Sequence, residues 1–124
     1  MKSRKDYNHS YYLTHKAKIT AVNLAWQRAH PESRRNSQLK NKYGIGSQQV
    51  EAILESQGGV CAICRRPQEE LRHPTPRLHV DHVTVDGVVI VRGLLCGRCN
   101  KALGLLRDDP TIAVEVVRYL RKKR

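Results

Sequence analysis

The chain has 124 residues, enough for one domain with a small core, and only 5% of them are aromatic. Lys and Arg number 23 against 11 Asp and Glu, and the resulting net charge of +12 favours a polyanionic partner, nucleic acid above all. No apolar run reaches the roughly 20 residues of a membrane-spanning helix and the polar start lacks the apolar centre of a secretory signal, so we expect a cytoplasmic protein with no membrane partner.

The amino-terminal third carries most of the positive charge. Residues 1–42 contain ten basic and two acidic side chains. They are predicted to form an arm that contacts phosphates or, alternatively, a solvated surface that aids solubility. The first fifteen residues lack periodicity and are predicted to form a flexible or locally ordered tail. An apolar stripe that includes Trp26 predicts a helix with one buried face over residues 16–30, in which Trp26 packs or, alternatively, stacks on a base.

Two further helices are predicted before the first cysteine. The polar segment 31–44 begins with Pro31, which suits a first helical turn, and ends at Gly44. So polar a helix needs a partner, and DNA would serve. Ser47 is predicted to cap the third helix, whose apolar face contains Val50 and Ile53.

A β-hairpin is predicted in the second half of the chain. Residues 65–76 are rich in proline and charge and indicate a surface loop. The runs 77–80 and 88–95 are predicted to form β-strands, and Asp86-Gly87 between them is typical of a hairpin turn. We expect the first strand to end around Asp81.

Two helices are predicted after the hairpin. A short one covers residues 97–106. Asp108 or Asp109 is expected to cap the last helix, which Pro110 opens. Its basic end suits the helix dipole.

Four cysteines form two C-x-x-C pairs with 31 residues between the pairs. In a reducing compartment such pairs are typical of thiolate ligands rather than disulfides. The loop and hairpin between them would return the second pair beside the first. The sequence therefore predicts a structural zinc site, as opposed to unligated buried cysteines or a redox pair, with four ligands: Cys61, Cys64, Cys96 and Cys99.

Several side chains suited to chemistry lie at the two ends of the hairpin. His79, Asp81 and His82 precede the turn, and Asn100 follows the last cysteine. A hairpin that leads into a helix can bring Asp81, His82 and Asn100 around one point, which is a ββα arrangement. Each has a structural alternative: a hydrogen-bonded pair at the hairpin end, an amide that supports the zinc loop, or a packed strand histidine.

The run HVDH…VRGLLCGRCNKALG, preceded by KYGI and GGVCAIC, resembles the recombination endonuclease VII branch of the HNH nucleases, known largely from bacteriophages and prophages. The resemblance covers roughly residues 42–109. It implies an α+β fold with a small zinc-stapled ββα-metal (HNH, or His-Me finger) core and flanking amino- and carboxy-terminal helices. We expect residues 1–42 to be a basic tail and helical arm, and residues 43–124 to be the nuclease domain of a phage or prophage protein in a bacterial host.

The same resemblance implies a divalent-metal-dependent DNA endonuclease that nicks or cuts duplex or branched DNA. His82 would be the general base, while Asp81 and Asn100 would hold a catalytic Mg²⁺ or Mn²⁺. His79 and Arg92 are further candidates for catalysis or phosphate contact, although Arg92 could merely rim the hairpin. Cleavage would leave 5′-phosphate and 3′-hydroxyl ends.

Two departures from the family pattern keep other functions open. Val83 and Thr84 stand where many relatives have a second Asp-His, and Leu103 stands where some have an acid. The main alternative is a non-catalytic zinc-stabilised module that binds nucleic acid, and another is a domain for an acidic protein partner. A homodimer, and phage packaging or recombination proteins as partners, also remain open.

Overall fold

The computed structural model describes residues 1, 3–73 and 76–123. Within them lie helices α1 (Arg4–Ala29), α2 (Pro31–Tyr43), α3 (Ser47–Ser56), α4 (Gly97–Leu105) and α5 (Pro110–Leu120), a short 3-10 helix (Gln68–Glu70), and strands β1 (His79–Val85) and β2 (Val88–Leu95). The two strands form one antiparallel sheet. The predicted α+β class is therefore confirmed. None of the described helices is both long and apolar enough to cross a lipid bilayer.

The chain divides into two compact units, residues 1–42 and 43–124. In the first unit, α1 begins at Arg4, so the described residues of the predicted flexible or locally ordered tail are helical rather than flexible. Ser3 caps this helix: its hydroxyl accepts the Asp6 N–H at 3.2 Å, and the Asp6 carboxylate accepts the Ser3 N–H at 3.0 Å. This reciprocal pairing satisfies two otherwise unpaired donors at the helix start.

The predicted buried face of the first helix is also wrong. No residue of α1 is buried, and Trp26 is 50% exposed. Trp26 instead stacks on His30, with ring centroids 4.5 Å apart. The residues of the predicted stripe are separated by polar side chains on both flanks, so their apolar area is small and stays at the surface.

The core of the second unit is small and lies where α3, the cysteine segments and the base of the hairpin meet. Its buried apolar side chains are Val50, Cys61, Leu78, Leu94, Leu95 and Cys96. Helix α3 begins at Ser47, one residue earlier than expected, and the cap is Gly46 rather than Ser47. The reason is that the Gln49 side chain reaches back and accepts the Gly46 N–H at 2.9 Å.

The hairpin is longer than predicted, because β1 continues to Val85 instead of ending around Asp81. A bulge allows this: Asp81 pairs with Gly93 and His82 pairs with Val91, so Arg92 is an extra residue on β2. The predicted turn is confirmed at Asp86 and Gly87, whose φ values of 50° and 77° suit a two-residue hairpin connection.

The segments around the hairpin follow the sequence prediction in most respects. The predicted loop contains one named element, the 3-10 helix, within residues 65–73 and 76. The other two residues of the loop, Pro74 and Thr75, lie outside the described residues. Asp109 caps α5 by accepting the Thr111 N–H at 2.8 Å. Helix α5 ends at Leu120, and Arg124, like Lys2 in the predicted tail, lies outside the described residues.

One glutamine joins α3 to the base of the hairpin. The Gln57 side-chain oxygen accepts the Leu94 N–H at 2.8 Å, and its nitrogen donates to the carbonyls of Val60 and Leu94 at 2.9 and 3.0 Å. Gln57 thus satisfies both backbone groups of a residue that is 1% exposed. A side chain at Gly93 would collide with it, since a Cβ there would lie 3.0 Å from the Gln57 oxygen.

We therefore predict that Gln57→Ala lowers the free energy of unfolding by about 2 kcal/mol, because the buried Leu94 N–H loses its hydrogen-bond partner. Urea denaturation of the zinc-loaded protein measures the change. Ser56→Ala is the matched control: the Ser56 hydroxyl donates to the Ile53 carbonyl at an exposed site, and its loss should cost less than about 0.5 kcal/mol. Equal effects of the two substitutions would contradict the role given to Gln57.

Candidate functional site

The four cysteines come from three segments that meet at the base of the hairpin. Cys61 and Cys64 lie in a turn, and the Cys61 carbonyl accepts the Arg65 N–H at 3.0 Å. Cys96 follows β2 and caps α4, and Cys99 lies in the first turn of that helix. The Ala62 N–H donates to the Leu94 carbonyl at 3.1 Å, which holds the first turn against β2.

The geometry of the sulfurs fits a tetrahedral metal ion. All four sulfurs lie within 4.8 Å of one another, and Cys64 Sγ is 3.7 Å from Cys96 Sγ. Ligands bound at about 2.3 Å around tetrahedral zinc are separated by about 3.8 Å. None of the four is in a disulfide. The cluster can therefore hold a structural zinc ion, as the spacing predicted.

The protonation chemistry of the cluster also favours a cation. Burial raises the pKa of the Cys61 thiol, but three neighbouring backbone N–H groups together outweigh it, so the pKa falls to about 6. Burial, followed by the adjacent sulfurs, raises the pKa of Cys99 to about 12. Cys61 is thus readily deprotonated, whereas Cys99 resists deprotonation. A divalent cation removes that resistance, and its binding releases the remaining protons.

A second charged cluster lies in the middle of the hairpin. Arg92 Nε is 2.7 Å from Asp81 Oδ2, and Arg92 Nη2 is 3.0 Å from Asp81 Oδ1 and 2.9 Å from Asp108 Oδ1. Asp81 is the one charged residue that is buried in the described part of the chain. Arg92, the partner of Asp81, stays charged. Its hydrogen bonds to the carboxylates of Asp81 and Asp108 raise the pKa of the guanidinium by more than burial lowers it.

Local backbone conformation explains how the three residues meet. The bulge inserts Arg92 next to Gly93, the ladder partner of Asp81. Asp108 and its neighbour Arg107 have φ values of 52° and 58°, which are uncommon for residues with side chains, in the link between α4 and α5. That left-handed link directs the Asp108 carboxylate toward Arg92. We call Arg92, Asp81 and Asp108 the Arg92 cluster.

The other predicted site residues occupy separate positions on the same ββα unit. His82 is exposed, and its ring lies edge-on to Tyr43 with centroids 5.1 Å apart. His79 is exposed, and its Nε2 lies 3.5 Å from where a Cβ on Gly97 would stand. Asn100 is half-buried in the first turn of α4, where its N–H donates to the Cys96 carbonyl at 3.0 Å.

Of these candidates the structure joins only some. Asp81 and Arg92 are in direct contact, whereas among the described residues no hydrogen bond links Asp81, His82 and Asn100. Sequence reasoning missed Asp108 as a site residue, since the pair before Pro110 indicated only a helix cap. Asp109 takes that cap and leaves Asp108 for Arg92. Tyr43 was also missed, because nothing in its spacing relates it to His82.

A family model described as recombination endonuclease VII matches residues 36–122. The chain belongs to this family. The resemblance found in the motifs is thereby confirmed, and the match extends beyond residues 42–109 to include the end of α2 and all of α5.

Two curated phage proteins are similar to the chain. It is 46% identical over 81 residues to the Gene 59 protein of Mycobacterium phage D29, and 43% identical over 79 residues to the Gene 59 protein of Mycobacterium phage L5. The aligned regions cover 64% and 63% of this chain. They cover 46% and 44% of the two relatives, so the chain spans about half the length of the proteins it matches.

We predict that the purified chain contains one zinc ion, and that chelation abolishes its cooperative thermal unfolding because the small core depends on the metal. Cys64→Ser should lose most of the zinc. The control is Ile63→Ala, a change in the same turn at a side chain that is 53% exposed, which should keep one zinc per chain. Atomic emission and calorimetry measure both quantities. A melting temperature that is unaffected by chelation would reject the structural role.

Proposed function

We propose that this member of the recombination endonuclease VII family is a DNA endonuclease that hydrolyses phosphodiester bonds with a divalent metal ion. The observation that carries the proposal is the family match over residues 36–122. That region contains the cysteine cluster and the whole β1–β2–α4 unit, on which every candidate site residue lies. The substrate is DNA, nicked or cut in duplex or branched form.

The role proposed for His82 is that of general base. Its exposed imidazole on β1 is accessible to a water molecule beside bound DNA, and a neutral imidazole can accept a proton near pH 7. The Tyr43 ring packs edge-on against it and restricts where the imidazole can turn. His82 would deprotonate the attacking water at the phosphate.

Asp81 and Asn100 are proposed to hold the catalytic Mg²⁺ or Mn²⁺. Their carboxylate and amide oxygens are hard donors that suit these ions. Asp81 pairs with the Arg92 guanidinium through both carboxylate oxygens, so metal binding requires that Arg92 release at least one of them. When bound, the ion would offset the charge that develops on the phosphate. Asp81 would hold the ion from β1, and Asn100 would hold it from α4.

Positive side chains are proposed to bind the DNA backbone. His79 is exposed near the start of α4, and Arg92 is partly exposed in the hairpin, so both can reach a phosphate. Residues 1–42, with a net charge of +8, would form the DNA-binding arm, and residues 43–124 would form the nuclease domain. No buried side chain is found in α1, so the lysines of this helix are open to a polyanion.

A second candidate function is a zinc-stabilised module that binds nucleic acid without cutting it. One observation favours it: both oxygens of Asp81 are engaged by Arg92, which leaves the proposed metal ligand already paired. Val83 and Thr84, which stand where many relatives have a second Asp-His pair, point the same way. Cleavage and binding assays on the same preparation separate the two functions.

We predict that the protein nicks or linearises supercoiled plasmid in Mg²⁺ or Mn²⁺, and that His82→Ala slows cleavage about 100-fold or more through loss of the base. Gel electrophoresis measures the rate. Thr84→Ala is the matched control, because Thr84 is exposed and lies two residues further along the same face of β1. Intact plasmid with every divalent ion, or equal cleavage by the His82 variant, would reject the proposal.

We also predict salt-dependent binding to duplex DNA through the arm. Replacing both Lys16 and Lys18 by Gln should reduce the slope of log affinity against log salt by about 2, because each phosphate contact contributes about one unit. Fluorescence anisotropy at several salt concentrations measures the slope. Thr20→Ala, an exposed change on the same helix, should leave it unchanged. A slope that is indifferent to the lysines would place the DNA elsewhere.

A further inference from the structure

The Arg92 cluster leaves the proposed metal ligand in an unusual situation. Each carboxylate oxygen of Asp81 already accepts an N–H from one guanidinium, at 2.7 and 3.0 Å. A divalent ion bound to either oxygen would therefore lie next to a fixed positive charge. Because like charges at such short distances repel strongly where water is scarce, the bound form of Arg92 opposes metal binding at Asp81.

Arg92 is also able to leave Asp81. Its side chain is 36% exposed, and it comes from a bulged residue rather than from the regular ladder. Asp108, whose side chain is 49% exposed, gives Arg92 a second anionic partner at the rim. A DNA phosphate has two non-bridging oxygens that one guanidinium can bind at the same time, so it competes with Asp81 for the same donors.

Resting on the proposed function, we infer that Arg92 is a positioning residue that couples DNA binding to metal binding. Without DNA, Arg92 holds Asp81 and keeps the divalent ion weakly bound. When a DNA phosphate arrives, Arg92 transfers its N–H donors to that phosphate, and the Asp81 carboxylate becomes available to the ion. Such a device would limit metal-dependent cleavage chemistry to protein that already carries DNA.

Thermodynamic reciprocity gives this inference a measurable form. If DNA strengthens metal binding by some factor, then the metal must strengthen DNA binding by the same factor. We expect Mn²⁺ to tighten binding of the wild-type protein to a short phosphorothioate duplex, which resists cleavage, about fivefold or more. Substitution of Arg92 by a neutral residue should bring that factor close to one.

The test uses the zinc-loaded full chain as wild type, Arg92→Gln and Arg92→Lys. Electron paramagnetic resonance of free Mn²⁺ gives the metal affinity without DNA, and anisotropy with and without Mn²⁺ gives the coupling. Arg92→Gln should bind Mn²⁺ about tenfold more tightly than wild type, because it removes the opposing charge and keeps a hydrogen-bond donor for Asp81. Arg92→Lys retains the charge, so its Mn²⁺ affinity should stay close to that of wild type.

Arg118→Gln is the matched control. It removes another arginine that is paired with a carboxylate, Glu115 on α5, and it should change neither quantity. Zinc content and thermal unfolding report whether each variant is folded. If Arg92→Gln does not fold, the effect of Mn²⁺ on DNA affinity in the wild type still decides the question.

Three results would overturn the inference: equal Mn²⁺ affinity of wild type and Arg92→Gln, DNA affinity of the wild type that is independent of Mn²⁺, or no Mn²⁺ binding by either protein. The first two would make the Asp81–Arg92 pair a permanent structural contact. Plasmid cleavage is scored separately. Cleavage without coupling would support the nuclease proposal and reject the role inferred for Arg92. Coupling without cleavage would support the role inferred for Arg92 and reject the nuclease proposal.

Discussion

The candidate site depends on the group of four sulfurs at the base of the hairpin. A two-stranded sheet is marginal in water by itself, and the buried apolar core of the second unit is small. The cysteines join the turn at Cys61, the end of β2 and the start of α4 at one point. Asp81 lies on β1, which pairs with β2, and Asn100 follows Cys99 on α4, so both residues lie on elements that connect to this junction. Gln57 reinforces the same point from α3.

A bulge in the hairpin places charge in an otherwise apolar ribbon. Arg92 is the extra residue: it lies between the ladder partners of Asp81 and His82 and contacts Asp81 through its side chain. A buried carboxylate needs a partner, because a charge without one is costly to remove from water. Arg92 is that partner, and its Nη2 also donates a hydrogen bond to the Asp108 carboxylate. The contact with Arg92 that stabilises the buried Asp81 carboxylate also occupies the oxygens that a metal ion would need.

Local spacing explains most of what the sequence predicted. The cysteine pairs, the Asp86-Gly87 turn and Pro110 are signals that act within a few residues, and the structure confirms each of them. The bulge could not be predicted, because Val88 to Val91 are apolar on both faces and give no alternation that would reveal a change of register. Asp108 was hidden for a related reason: its partner Arg92 is 16 residues away and is reached through two left-handed backbone positions. The helix at the amino terminus was missed because a good cap, Ser3 with Asp6, precedes a segment with no apolar periodicity.

The single extra residue on β2 divides the hairpin into two parts with different tolerance to change. Residues toward the tip pair evenly from His82 to Val85, so an extension there by a matched pair of residues would leave the base as it is. Deletion of the bulged residue, Arg92, would leave Asp81 paired with Gly93 and His82 paired with Val91, but it would remove the guanidinium that Asp81 binds. Variation in hairpin length among related nucleases is therefore expected at the turn, in even steps, while the stretch from Val91 to Cys96 should keep its length.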